Sequence, residues 1–281
     1  MQRVAQALRE NSIARALETA KELVRESPED PAPRIALFQI FSLMGDWQRG
    51  LQQLQVASKL DAECLGRNIV YRNALRCESF RSEVFAGSRQ PHFLGEPEPW
   101  MGQLVEALRA EGGGDSAAAV QLRAEALESA PATAGTLHRR ESATSREVAS
   151  VDRFEWFADA DSRLGPIVEV VIGEKYLWVP CDRIARIRLE VAKSLEESLW
   201  IPAEFVWQNG GEALGLIPVR YAGSDQSEDG AIAQGRATDW RELSDGQYAG
   251  LGLRQWSTDT TEVPLLEVAE VVFDAGDAPR T

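Results

Sequence analysis

Along the first part of the chain, apolar residues return at helical spacing. Leu51, Leu54, Ala57 and Leu60 fall on one face at three-residue steps, while Gln52, Gln53 and Lys59 take the wet side. The pattern repeats itself. Residues 11–17, Asn-Ser-Ile-Ala-Arg-Ala-Leu, align with residues 45–51, Gly-Asp-Trp-Gln-Arg-Gly-Leu, at a spacing of 34, and Ala20, Leu23 and Glu26 then meet Leu54, Ala57 and Leu60. Ala16 and Gly50 share one slot, where a side chain no larger than a methyl lets two helices approach to about 8–10 Å. Ser27-Pro28 and Asp30-Pro31 punctuate the boundary between copies, because the residue before a proline avoids the helical region.

A period of 34 is that of tetratricopeptide repeats, in which each unit is an antiparallel helix pair. A fainter copy runs through Gly114-Asp115, Ala118-Ala119-Val120 and residues 126–131, making residues 98–131 another hairpin. Residues 63–85 read as one long helix plus a shorter partner, and the proline- and glycine-rich residues 87–99 as a connecting loop. The expectation is a helical repeat domain over residues 1–131 with about four degenerate units. Stacked hairpins present a concave surface suited to a peptide or helix. Ile35, Gln39, Ser42, Ile69 and Asn73 fall at its inward-facing spacing; ordinary packing against a neighbouring hairpin or domain is the alternative for each.

The period then changes. Residues 132–152, rich in Ala, Ser, Thr and charge, read as a linker, and residues 153–281 as a β-rich C-terminal domain. Residues 167–172 and 175–179 flank Gly173-Glu174 as a hairpin, and residues 203–207 and 213–217 flank Gln208-Asn209-Gly210-Gly211 as a second. With residues 184–191 and a closing strand over 266–273, about six strands are expected. The predicted class is α+β: tetratricopeptide-like α-hairpins followed by a small twisted sheet or partly closed barrel.

Charge narrows the partners. Residues 1–150 carry 20 acidic and 18 basic groups and residues 151–281 carry 24 and 12, so the C-terminal half holds nearly all of the net charge of -14. Such a field repels phosphate backbones and excludes nucleic acid, while favouring a basic partner segment. No stretch approaches the roughly 20 apolar residues of a membrane span, and the N-terminus lacks a secretory signal pattern, so no membrane partner is expected. Three cysteines without metal-like spacing point to a reducing, cytoplasmic setting.

Candidate chemistry is sparse. His92 and His138 have neither triad- nor metal-spaced neighbours, Cys181 has no adjacent base, and Gly112-Gly113-Gly114 lacks the Lys-Ser/Thr of a phosphate loop. Asp159-Ala-Asp161 with Arg163 is compatible with a divalent cation, but equally with turn capping and an ion pair. No cofactor and no metal is expected, and the protein reads as a non-enzyme. Two alternatives stand: a metal-dependent enzyme using Asp159 and Asp161, and a scaffold whose groove is filled by its own C-terminal half.

The order of motifs carries a resemblance. A degenerate helical-repeat half precedes Trp156-x-x-Asp159-Ala-Asp161-Ser-Arg163-Leu-Gly-Pro166 and Tyr176-Leu-Trp-Val-Pro180; Ser198-Leu-Trp200, residues 217–221 (Ile-Pro-Val-Arg-Tyr) and Thr238-Asp-Trp240 follow. Over essentially the whole chain this resembles the ImpE/TagJ family of accessory proteins of bacterial type VI secretion. The resemblance implies a cytoplasmic accessory factor without catalytic activity. It implies binding near the N-terminal helix of the small contractile-sheath subunit, with influence on sheath assembly or on disassembly by the ClpV ATPase. Trp156, Asp159, Asp161 and Arg163 are candidates to line the partner groove at the domain junction; in the alternative, Arg163 and Asp161 lock a turn, Gly165-Pro166 starts a strand, and Trp200 and Trp240 are core. The chain departs from the family pattern at Cys181 and in the long acidic loop 223–235.

Overall fold

The computed structural model describes residues 1–244 and 246–275. Seven helices come first: α1 (Gln2–Arg9), α2 (Ile13–Glu26), α3 (Pro31–Leu43), α4 (Trp47–Leu60), α5 (Cys64–Phe85), α6 (Pro99–Gly112) and α7 (Ser116–Ser129). The repeat is visible in their joints. Asn11, Gly45 and Gly114 all take positive φ, at 56°, 70° and 85°, just before α2, α4 and α7. Asp46 and Asp115 follow two of these joints as N-caps, accepting from the backbone N–H of Arg49 and Ala118. Three hairpins result, α1–α2, α3–α4 and α6–α7. The long helix expected over 63–85 is there, but without its shorter partner: α5 is a single 22-residue helix. It packs on α4 along one side and on the sheet along another, and that double packing stands in for a hairpin mate.

The strands are β1 (His92–Phe93), β2 (Gly135–Arg140), β3 (Val148–Phe154), β4 (Phe157–Asp159), β5 (Ile167–Ile172), β6 (Lys175–Pro180), β7 (Ile184–Leu189), β8 (Trp200–Trp207) and β9 (Glu212–Pro218). After a short helix α8 (Gly230–Ala233) come β10 (Thr238–Ser244), β11 (Gln247–Gly252), β12 (Gln255–Thr258), β13 (Glu262–Pro264) and β14 (Val268–Phe273). Both hairpins read from the sequence are present, as β5–β6 and β8–β9. More strands form than periodicity suggested, because several are short or built from polar residues. Residues 132–152 differ most from expectation: instead of a linker they supply β2 and much of β3, whose ladder is closed by β14. Inside the connecting loop 87–99, β1 joins β6 as the parallel edge.

The main sheet has nine strands in the order β1-β6-β5-β9-β8-β7-β14-β2-β3 and is open rather than a barrel. Its two faces bury separate cores. One face, with Ile167, Tyr176, Trp178 and Trp200, joins Phe38, Tyr71, Leu75 and Trp100 of the helices. The other gathers Leu137, Phe157, Val170, Ile187, Phe205 and Trp256 beneath the three-stranded sheet β13-β12-β4. The helices cover only part of the first face. Toward β7 and β8 the cover ends, leaving Arg186, Arg188 and Glu204 exposed.

The acidic loop 223–235 folds back on the N-terminal hairpin, where Gln234 donates to the Asn11 carboxamide at 3.1 Å. Trp200 is buried core, whereas Trp240 is only half-buried and lies against Tyr221 with ring centroids 5.6 Å apart. Among the described residues no helix is long and apolar enough to cross a membrane.

The shared small slot of the repeat is testable at Gly50, where an added Cβ would lie 3.5 Å from the Phe38 carbonyl oxygen, an ordinary contact. Gly50→Ala is expected to stabilise by about 0.5–1 kcal/mol through helix propensity. Gly50→Leu should cost about 1–3 kcal/mol by wedging α3 from α4, with urea unfolding as the measurement for both.

Candidate functional site

Two features occupy the junction between helices and sheet: a buried charge network and, beside it, an open apolar groove. The network starts from an anomaly in β5, where Glu169 interrupts the apolar run Ile167-Val168-Glu169-Val170-Val171 and is completely buried. A carboxylate there needs cations and donors. Arg81 of α5 supplies a two-pronged contact, Nε to Oε1 at 2.6 Å and Nη2 to Oε2 at 3.0 Å. Arg254 and the Tyr176 hydroxyl also donate to Glu169. Arg254 reaches on to Asp159, and Arg81 on to Glu78, which accepts from Trp200 Nε1 at 2.8 Å.

Burial alone would raise the Glu169 carboxyl, but Arg81 and Arg254 outweigh it and hold it at about 2. Asp159 has only a share of Arg254 and a second carboxylate, Asp161, nearby; burial pushes it up to about 7. Arg254, held between two carboxylates, is shifted upward and stays charged.

Asp161 and Arg163 form their own buried pair, with the Arg163 N–H and Nε each donating to Oδ1 at 2.9 Å, and Gly250 N donating to Oδ2 at 3.1 Å. The Arg163 guanidinium also stands over the Phe85 ring at 4.9 Å. Both aspartates are therefore spent on internal partners. Among the described residues no cluster of three or more His, Cys, Asp or Glu has a metal-binding arrangement. Cys181 is fully buried, which raises its thiol pKa well above the ordinary range.

The groove opens where the helical cover stops. Gly66, Arg67, Ile69, Val70 and Asn73 of α5 form one wall; Val171, Ala203, Leu214, Gly215 and Leu216 form the floor and the far side, enclosing about 560 Å³. Large apolar side chains stand open to water around it: Ile69 is 59% exposed, Val70 45% and Leu214 76%. Rim charges are Arg67, Glu190 and Glu204. Arg67 is matched by buried Glu196 at 3.1 Å.

The candidate residues therefore separate. Ile69 and Asn73 line the groove. Ser42 is buried with its hydroxyl donating to the Phe38 carbonyl, Gln39 donates to Glu196, and Ile35 is half-buried against the core. That part of the helical surface faces the chain's own C-terminal half, which meets it where Arg220 donates to the Ser42 carbonyl and where Glu196 accepts from Gln39. Asp159, Asp161 and Arg163 sit inside the junction instead of on a groove wall, and Trp156 is 40% exposed but away from the groove. Sequence reading missed Val70, Leu214 and the Glu169 network. A charge inside an apolar strand was the available signal for Glu169.

Helical hairpins clamped through buried charge to an open sheet, with an uncovered apolar groove between them, define the class of molecule. Residues 152–272 match the family described as ImpE protein. The chain is 36% identical over 271 residues to the type VI secretion system accessory component TagJ of Pseudomonas aeruginosa, covering 96% of this chain and 91% of that protein. It belongs to the ImpE family and is a homologue of that accessory component. A crystal structure of a Vibrio parahaemolyticus protein superposes with a TM-score of 0.84 at 27% identity, covering 96% of this chain and 97% of the other.

Replacing Glu169 by Gln takes from buried Arg81 and Arg254 the carboxylate they share and leaves each with a single counter-charge, Glu78 and Asp159 respectively. A loss of about 3–5 kcal/mol at neutral pH is expected in denaturant unfolding. The sign with pH follows from a carboxyl lowered from 4.5 to about 2: wild type has the full stabilisation above 4.5 and loses it as pH falls toward 2, so the gap between the two proteins narrows over that window.

Proposed function

We propose that the groove between α5 and strands β8 and β9 receives an amphipathic helix, the N-terminal helix of the small contractile-sheath subunit of type VI secretion. The protein then acts as a non-catalytic cytoplasmic adaptor that influences sheath assembly or its disassembly by ClpV. One observation carries the reading: exposed Ile69, Val70 and Leu214 surround an apolar cavity of about 560 Å³. Contiguous apolar surface of this kind marks an interaction site on a folded protein.

The floor selects the occupant's backbone. Strand β8 is laddered on both sides, to β7 and β9, and β9 meets β5 at Val171 and Leu216, so the floor offers an added strand no more than a short stretch of edge. An extended peptide would lay unpaired N–H and C=O groups on an apolar floor, whereas a helix satisfies its own. The name of the Pseudomonas aeruginosa relative, an accessory component of the same secretion system, supports this direction.

A metal-dependent reaction at Asp159 and Asp161 has no comparable support, since Arg254, Arg163 and backbone N–H groups already engage both carboxylates.

Titration of a fluorescent peptide of the sheath subunit's first helix should saturate at micromolar protein. Ile69→Asp and Leu214→Asp, both at exposed sites, should each weaken binding by about ten-fold or more with an unchanged circular dichroism spectrum. Absence of saturable binding by wild type refutes the proposal.

A further inference from the structure

We infer that the partner helix packs along α5 itself and comes closest at Gly66, so that the missing side chain there sets how deeply the helix seats. This rests on the helix-receiving groove proposed above. Gly66 lies in the first turn of α5 and lines the groove. Its φ is not positive, unlike that of Gly45, Gly114 or Gly210, so backbone conformation does not call for glycine. Packing within the chain does not call for it either, because a Cβ added at Gly66 meets no atom within 4 Å. At Gly112, by contrast, an added Cβ would strike the Ala86 carbonyl oxygen at 2.3 Å.

Glycine weakens a helix relative to alanine, so Gly66 is a local cost that the isolated fold does not explain. Gly102 in α6 is equally open but lies away from the groove. Gly66 differs from it in facing the groove. Ile69 and Val70 follow Gly66 at three and four residues, putting all three on one helical face beside the groove. Interaxial distance between packed helices depends on the side chains at the crossing, and glycine places a neighbour at the short end of the range.

Charge defines the occupant further. On the helix side Arg67 is already matched by Glu196, and Glu190 has Lys193 at 3.7 Å. Glu204 stands opposite Arg188 in register, yet among the described residues no cation lies within 4 Å of its carboxylate. The complementary occupant is an amphipathic helix whose apolar face is flanked, on the strand side, by a lysine or arginine.

Gly66→Ala and Gly66→Leu, titrated with the sheath subunit's first-helix peptide and melted in parallel, test the inference. Unfolding midpoints should equal or exceed that of wild type, while affinity falls a few-fold for Ala and about ten-fold or more for Leu. Stability and binding thus move in opposite directions along one series. Glu204→Lys should weaken binding more at low salt than at high salt. If Gly66→Leu binds as tightly as wild type while Ile69→Asp still weakens binding, the close approach is wrong and the groove stands. If neither substitution weakens binding, both the inference and the groove reading fall.

Discussion

A carboxylate in the middle of an apolar strand is the constraint around which this protein is arranged. Glu169 is acceptable inside the sheet only because Arg81 arrives from α5 and Arg254 from the loop before β12. Each of those arginines is itself fully enclosed and needs a second acceptor, found in Glu78 and Asp159. Removing any one member leaves a buried charge uncompensated, which is far more costly than never having built the set. The network thus ties the orientation of α5 to the sheet with a specificity that apolar packing alone does not supply.

That orientation creates the groove. Anchored near its C-terminal end by Glu78 and Arg81, α5 runs along the border of the helical cover, and its first turns stand beside strands β8 and β9 with their apolar side chains unpaired. The charged junction and the open groove are consequences of one placement of one helix. The first holds α5 rigidly enough for the second to be preformed, and a preformed site avoids the ordering cost that a mobile one incurs on binding.

The net acidity of the C-terminal half has a correspondingly local meaning. Most of its carboxylates near the junction are neutralised internally, so the long-range field steers, while short-range selectivity belongs to the few rim groups such as Glu204.

Local information was legible in the sequence. The 34-residue repeat, the two glycine-turn hairpins and the α+β order are set by interactions between residues close along the chain, and periodicity reports those directly. Strands β2 and β3 were not legible, because polar residues form strands there only once β14, more than a hundred residues away, provides the ladder. Of the candidate site, Ile69 and Asn73 could be placed on the correct helix from spacing alone. Which face of that helix would be covered, and which left open beside Leu214, depended on Arg81 meeting Glu169 across 88 residues. Pairing of buried charges so distant along the chain is decided by three-dimensional packing, and no local pattern encodes it.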